Sequence, residues 1–385
     1  MNIERFVIDI DQSRLDDLAY RLKNARITPD FGNSHWEYGT NTDYLNELVE
    51  YWREDYDWRK HEEQMNRFEH FKTEIDGLTI HFLYKKGKGP SPTPLLLSHG
   101  WPWTFWDYQK LIDPLTDPAA YGGDADAFDV VIPSLPGYGF STPLTTTGIN
   151  FESTADIFVK LMDGLGYKKF AAHGHDWGAI ITAQLGHKYA DKLIGAHFTT
   201  MIPLDAFSGG TVDGSFFSEK EMDIAEKNVN FFTDGGGYFA LQTTRPQTLA
   251  NALSDSPVGL CSWILEKRRD WSDCGGNVES RFSKDDLITT VMLYWLTDSF
   301  GTSARYYYEA AHRPWAPSHG REPVVEAPCG IAIFPEEILC QPEAWINHYY
   351  NLKQLSRMES GGHFAAMEEP KALLNDIRHF FASLR

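Results

Sequence analysis

The pentapeptide Gly174-His175-Asp176-Trp177-Gly178 constrains this chain more than any other stretch. It follows the apolar run Lys169-Phe170-Ala171-Ala172 and leads into Ala179-Ile180-Ile181-Thr182-Ala183. A strand, a Gly-x-x-x-Gly turn and a helix in direct succession make the backbone reverse within a few residues, presenting the central side chain at the strand end. Glycine permits the turn because it lacks a Cβ. Where such elbows usually carry Ser, this one carries Asp176. A carboxylate can attack a saturated carbon and leave an alkyl ester, which water cleaves at the acyl carbon. A Ser attacking the same carbon would leave an ether that water does not cleave. The competing reading is an Asp that merely caps a surface helix. The strand before it, the helix after it and the partners described below favour the nucleophile.

The rest of the chain supplies a scaffold for that elbow. Residues 1–70 read as a helical arm. Ser13 to Asp16 has capping-box spacing, and Leu15, Leu18, Ala19, Leu22 and Ala25 recur at helical intervals. A second helix carries Leu45, Leu48, Val49 and Trp52, and the irregular stretch 29–42 is expected to wrap the main domain. From residue 71 the apolar period becomes two, and Asp76-Gly77 between two alternating runs predicts a hairpin. Strands at 95–97, 128–133, 169–172 and 193–198 then alternate with helices at 104–116, 152–165 and 179–189. The alternation predicts an α/β fold: a mostly parallel sheet, helices on both faces and the hairpin as antiparallel edge.

Between 205 and 300 strand character disappears, and helices at 218–233, 257–268 and 284–298 predict an inserted helical cap. Strands return at 330–334 and 352–358, and a last helix begins with Pro370 at its first position. The expected organisation is an arm over 1–70, a core over 71–204, a cap over 205–300 and the core again over 301–385.

A nucleophile at an elbow needs a base and an acid. In the order nucleophile, acid, His, His363 is the histidine in position: it lies in a loop between the last strand and the last helix. The acid should follow the strand ending at Phe334, where Glu336 and Glu337 both qualify and spacing does not separate them. An oxyanion formed during ester cleavage needs two backbone N–H donors. Trp177, after the nucleophile, fits the first, and Trp101 in His99-Gly100-Trp101-Pro102 fits the second. The side chains of Trp101, Pro102 and Trp177 are expected to wall the substrate pocket.

Composition narrows the partners. A formal charge of −19 argues against nucleic acid, and no apolar run reaches the length of a membrane helix. No apolar core follows Met1-Asn2-Ile3-Glu4-Arg5, so no signal peptide is expected. The four cysteines lack metal-ligand spacing and read as free thiols in a reducing cytoplasm. No metal or other cofactor is expected, and assembly into oligomers is left open.

Three motifs carry a resemblance to a known family. His99-Gly100-Trp101-Pro102, Gly174-His175-Asp176-Trp177-Gly178 and Gly361-Gly362-His363-Phe364-Ala365-Ala366-Met367-Glu368-Glu369-Pro370 together resemble the α/β-hydrolase-fold epoxide hydrolases. The similarity is greatest to the microsomal branch with its soluble microbial, fungal and insect juvenile-hormone relatives, and it spans nearly the whole chain. The resemblance implies two cap tyrosines that hydrogen-bond the epoxide oxygen. Gly237-Tyr238-Phe239 matches the first, and Arg305-Tyr306-Tyr307-Tyr308-Glu309 matches the second at Tyr307, leaving Tyr306 and Tyr308 as packing or surface residues. The family's Phe-Pro-x-Glu pattern falls on Phe334-Pro335-Glu336-Glu337 and favours Glu337. A membrane-anchoring segment like that of the microsomal enzymes is not expected, so their location is not carried over. The expected function is hydrolysis of a small apolar epoxide by water to a vicinal diol, through an ester on Asp176. Haloalkane dehalogenation by the same Asp–His–acid set, and a catalytically silent scaffold that binds apolar ligands, are the alternatives.

Overall fold

The computed structural model describes residues 1–123 and 126–384. Nine strands form one sheet: β1 (Ile3–Phe6), β2 (Glu69–Ile75), β3 (Leu78–Lys85), β4 (Thr93–Ser98), β5 (Phe128–Pro133), β6 (Phe170–Gly174), β7 (Leu193–Phe198), β8 (Val325–Ile333) and β9 (Tyr350–Arg357). Their spatial order is β1-β2-β3-β5-β4-β6-β7-β8-β9. The pairs from β1 to β5 are antiparallel, and those from β5 to β9 are parallel. Leu95, Leu96 and Leu97 of β4 are fully buried, as a strand covered on both faces requires. The chain has the α/β-hydrolase fold.

The hairpin turns at Asp76-Gly77, where both residues have positive φ (53° and 78°). That geometry matches the right-handed twist of the flanking strands. The hairpin is not the outer edge, however. β1, from the segment read as purely helical, pairs outside β2 and forms the edge. Four residues are too few to show a two-residue period against the background of a polar N-terminus.

Three helices follow β1: Gln12–Lys23, Thr42–Glu54 and Trp58–Asn66. The first is capped by Asp11, whose carboxylate accepts the Ser13 N–H, rather than by the expected Ser13 box. Leu45, Leu48, Val49 and Trp52 are all buried, as their spacing predicts. The sequence pattern does not reveal the third helix, because Arg59, Lys60, Glu62 and Glu63 dilute its apolar face. The arm does more than wrap the core. Tyr44, Tyr51 and Tyr56 donate to or share hydrogen bonds with Glu279, Asp285 and Thr289, and Arg21 pairs with Asp255. All four partners belong to the helical segment between β7 and β8.

That segment holds the helices Met222–Asn230, Gly237–Thr244, Pro246–Leu253, Pro257–Asp270, Lys284–Leu296 and Phe300–Ala311. The helical run thus continues past 300, and two short helices fall between 237 and 253 where none was expected. Pro246 and Pro257 each open a helix at its first position, where the missing N–H costs nothing. The segment is called the cap below. No helix among the described residues is long and apolar enough to cross a membrane.

Leu48, on the arm helix Thr42–Glu54, is fully buried in the hydrophobic core. Leu48→Ala should cost about 2–5 kcal/mol, read as a lowered urea midpoint.

Candidate active site

The elbow forms at the end of β6. Asp176 sits at φ 53° and ψ −124°, a region L-residues occupy only when the surroundings impose it. The glycines are sterically required. A Cβ on Gly174 would lie 1.9 Å from the Gly178 carbonyl oxygen, and one on Gly178 would lie 1.9 Å from that of Ser98. A Cβ on Gly100 would meet Asp176 Oδ1 at the same distance. The loop after β4 therefore packs directly against the carboxylate.

That packing places the Trp101 N–H, which donates to Asp176 Oδ1 at 2.7 Å. Trp177 opens the helix Trp177–Lys188, so its N–H has no intrahelical acceptor. Asp176 Oδ2 points instead towards His363, whose Nε2 lies 3.5 Å away. On the other side of the ring, Nδ1 is 2.6 Å from Glu337 Oε1. Of the two carboxylates that spacing left open, Glu337 is the buried one and meets the imidazole. Glu336 is exposed and faces Lys227 at 3.7 Å. Glu337 is itself held by the Thr200 hydroxyl, which donates to Oε2 at 2.7 Å, and by the Ile338 N–H, which donates to Oε1 at 2.8 Å.

Burial opposes a charge on His363, but Glu337 and Asp176 outweigh it through charge and hydrogen bonding, and its pKa is raised to about 9. At neutral pH the imidazole is therefore protonated between two carboxylates. The His363 loop is fixed by backbone contacts. His363 N–H donates to the Trp271 carbonyl at 2.8 Å, and Glu368 accepts the N–H groups of Gly362 and Phe364 at 3.0 and 2.8 Å. Glu368 stands in one of the quoted motifs, yet only the three-dimensional loop reveals what it binds.

Tyr238, from the cap helix Gly237–Thr244, and Tyr307, from Phe300–Ala311, line the same cavity as Asp176 and His363. Burial, then the nearby charge of Asp176, raises the pKa of Tyr238. Tyr307 is raised by burial, then by Tyr238 and Asp176. Both phenols stay protonated and can donate. Their neighbours do not reach the cavity: Tyr306 shares a hydrogen bond with Thr154, and Tyr308 stacks on His312 near the surface.

The cavity holds about 160 Å³. Phe207, Phe231, Phe232, Phe239, Ile202 and Leu339 form much of its wall, none of which spacing could single out among the chain's many apolar residues. Trp177 lines it, but Trp101 and Pro102 do not, contrary to expectation. The Trp101 indole lies behind the tyrosines, stacked on Tyr238 with ring centres 5.3 Å apart. The Pro102 carbonyl faces the cap residue Arg268.

Among the described residues, one cluster has ligand atoms close enough to share a cation: His175, Glu337 and His363, within 4.8 Å of one another. Its Glu337–His363 hydrogen bond belongs to the triad geometry above, and His175 Nδ1 is engaged by the Thr199 hydroxyl.

Comparison with known proteins decides the family. Residues 3–108 match the family described as epoxide hydrolase N terminus, and residues 93–330 match the alpha/beta hydrolase fold. Epoxide hydrolase 1 of Oryctolagus cuniculus is 38% identical over 405 aligned residues, covering 98% of this chain and 88% of that protein. The chain belongs to the epoxide hydrolase family. The crystal structure of juvenile hormone epoxide hydrolase from Bombyx mori is 30% identical, with a TM-score of 0.87 and coverage of 100% of this chain and 95% of that one. The epoxide hydrolase of Aspergillus niger superposes with a TM-score of 0.86 at 28% identity, covering 100% and 97%. The activity of this chain is the hydrolysis of epoxides. In this chain Asp176, Trp177, Tyr238, Tyr307 and His363 line one cavity.

Because Asp176 helps hold the proton on His363, Asp176→Asn should lower the imidazole pKa from about 9. Titration of ¹⁵N-labelled histidine by NMR checks this; an unchanged value contradicts the assigned cause.

Proposed function

We propose that the chain opens a small apolar epoxide in two steps, with Asp176 as nucleophile. The observation that carries the reading is one carboxylate with two differently engaged oxygens. Oδ1 is held by the Trp101 N–H, Oδ2 lies 3.5 Å from His363 Nε2, and Asp176 lines one cavity with Tyr238 and Tyr307.

In the first step Tyr238 and Tyr307 donate hydrogen bonds to the epoxide oxygen. Oδ2 attacks a ring carbon, the C–O bond breaks, and the oxygen takes a tyrosine proton. Asp176 is then a neutral hydroxyalkyl ester. Losing that negative charge removes part of what held the proton on His363. The imidazolium returns a proton to the tyrosinate and becomes a neutral base.

In the second step His363, oriented by Glu337, takes a proton from water. The resulting hydroxide attacks the acyl carbon of Asp176. The negative oxygen, formerly Oδ1, is met by the N–H groups of Trp101 and Trp177. Collapse expels the alkoxide, which takes the remaining proton from the Asp176 carboxylic acid and leaves as the diol. The resting carboxylates and imidazolium are restored. The only co-reactant is water.

The apolar wall of the cavity fits an apolar substituent on the epoxide. The four cysteines, all buried and unpaired, fit a cytoplasmic location.

Single turnover with mass analysis of the Asp176 peptide tests this reading. His363→Gln should accumulate the substrate-mass ester, and Asp176→Ala should form none and lose turnover. Tyr238→Phe with Tyr307→Phe should slow ester formation by about 10²-fold or more, the lower end for general-acid catalysis. An Asp176→Ala variant that keeps full turnover would sink the proposal.

A further inference from the structure

We infer that Arg268, on the cap helix Pro257–Asp270, is a positioning residue for ester hydrolysis, acting through the loop that carries the Trp101 N–H. The inference rests on the two-step reading above.

Arg268 is 1% exposed, and its partner Asp107 is 4% exposed. Arg268 Nη2 donates to Asp107 Oδ1 at 2.5 Å, to the Pro102 carbonyl at 3.3 Å and to the Thr290 hydroxyl at 3.2 Å. Asp107 and Pro102 belong to the loop after β4. The other oxygen of Asp107 accepts the Thr104 N–H at 2.7 Å and the Thr104 hydroxyl at 3.2 Å, closing that loop on itself. A second cap residue grips the same loop: the Tyr294 hydroxyl donates to the Trp103 carbonyl at 2.8 Å. The segment that presents the Trp101 N–H to Asp176 is therefore held from the cap at Pro102, Trp103 and Asp107.

The guanidinium also reaches the other half of the hydrolytic apparatus. Its carbon lies 4.1 Å from the ring centre of Phe364, the residue after His363. Three residues further along the cap, Trp271 accepts the His363 N–H. One short stretch of cap thus touches both the oxyanion loop and the loop of the base.

A buried ion pair is a poor choice for stability alone, since desolvating both charges offsets most of their attraction. Here the geometry is specific: all three contacts converge on Nη2, so one buried nitrogen ties the Asp107 carboxylate and the Pro102 carbonyl to Thr290 of the cap. The Trp101 N–H stabilises charge that develops when water attacks the ester. The tyrosines that serve ester formation sit on other cap helices, and Arg268 touches neither. The same N–H also holds Asp176 Oδ1 before attack, and the Trp101 indole stacks on Tyr238. Negative charge grows on Oδ1 only during hydrolysis, however, so loosening Arg268 should slow hydrolysis far more than alkylation. A purely structural role would depress both steps together, or neither.

The test is single-turnover kinetics with mass analysis of the ester-bearing peptide. The double variant Arg268→Met with Asp107→Asn leaves no unpaired buried charge and keeps an acceptor for Thr104. Ester decay should slow by about 10- to 100-fold, less than the loss of a whole oxyanion donor, with formation within about twofold of the parent, so that ester accumulates at steady state. Arg268→Lys keeps the charge but ends on a shorter side chain, away from the position Nη2 holds among its three acceptors. It should show the same selective loss at about three- to tenfold, and it carries the test if the double variant does not fold. Equal slowing of both steps, slowing of formation alone, or unchanged decay in a folded variant overturns the inference. If the parent enzyme itself forms no ester, the two-step reading fails instead, and the two failures are distinct.

Discussion

One imidazole held between two buried carboxylates sets the demands that the rest of the molecule meets. His363 is fully buried, with Glu337 at 2.6 Å on one nitrogen and Asp176 at 3.5 Å from the other. A protonated imidazole stabilises two negative charges that would be costly without it in a dry site. The same arrangement has a chemical consequence. In the two-step reaction proposed above, consuming one of the charges by alkylation lowers the proton affinity of the ring, so the first half-reaction prepares the base for the second. Each neighbouring contact preserves that geometry. Thr200 and the Ile338 N–H hold Glu337, Glu368 holds both flanks of His363, and three glycines let Asp176 approach the loop after β4.

The cap supplies more than a cover. It brings Tyr238 and Tyr307 over the carboxylate, and through Trp271, Tyr294 and Arg268 it touches the loops beneath. The N-terminal arm in turn holds the cap, with three tyrosine hydroxyls and the Arg21–Asp255 pair crossing between them. Individual exposed pairs of this kind contribute little. Their value here is geometric, together with the buried Leu48 and Trp52 surface behind them. Distant parts of the chain therefore bear on one small cavity.

Much of the fold was legible because its signals are local. The alternation of apolar strands with helices marked the parallel sheet, and Asp76-Gly77 marked the hairpin. Asp176 stood out because its elbow is written in seven or eight consecutive residues. His363 followed from chain order. What failed to show was of two kinds. β1 and the helix Trp58–Asn66 are short or heavily charged, so burial by distant partners decides them rather than their own pattern. The walls assigned to Trp101 and Pro102 were misplaced for another reason: residue type says that an indole will be buried, not which side of a tyrosine it will occupy.

The sequence by itself determined the elbow, the carboxylate at its centre and the order in which Asp176, Glu337 and His363 follow along the chain, since these depend on residue type and on neighbours along the chain. Tertiary structure decided between Glu336 and Glu337, because adjacent residues after a strand point in different directions and only one can meet the ring. It selected Tyr307 from three consecutive tyrosines for the same reason, as helical rotation carries each side chain about 100° from the last. It also joined Arg268 to Asp107 across 161 positions. No local pattern encodes such a contact, because its energy exists only when the cap and the core have closed around it.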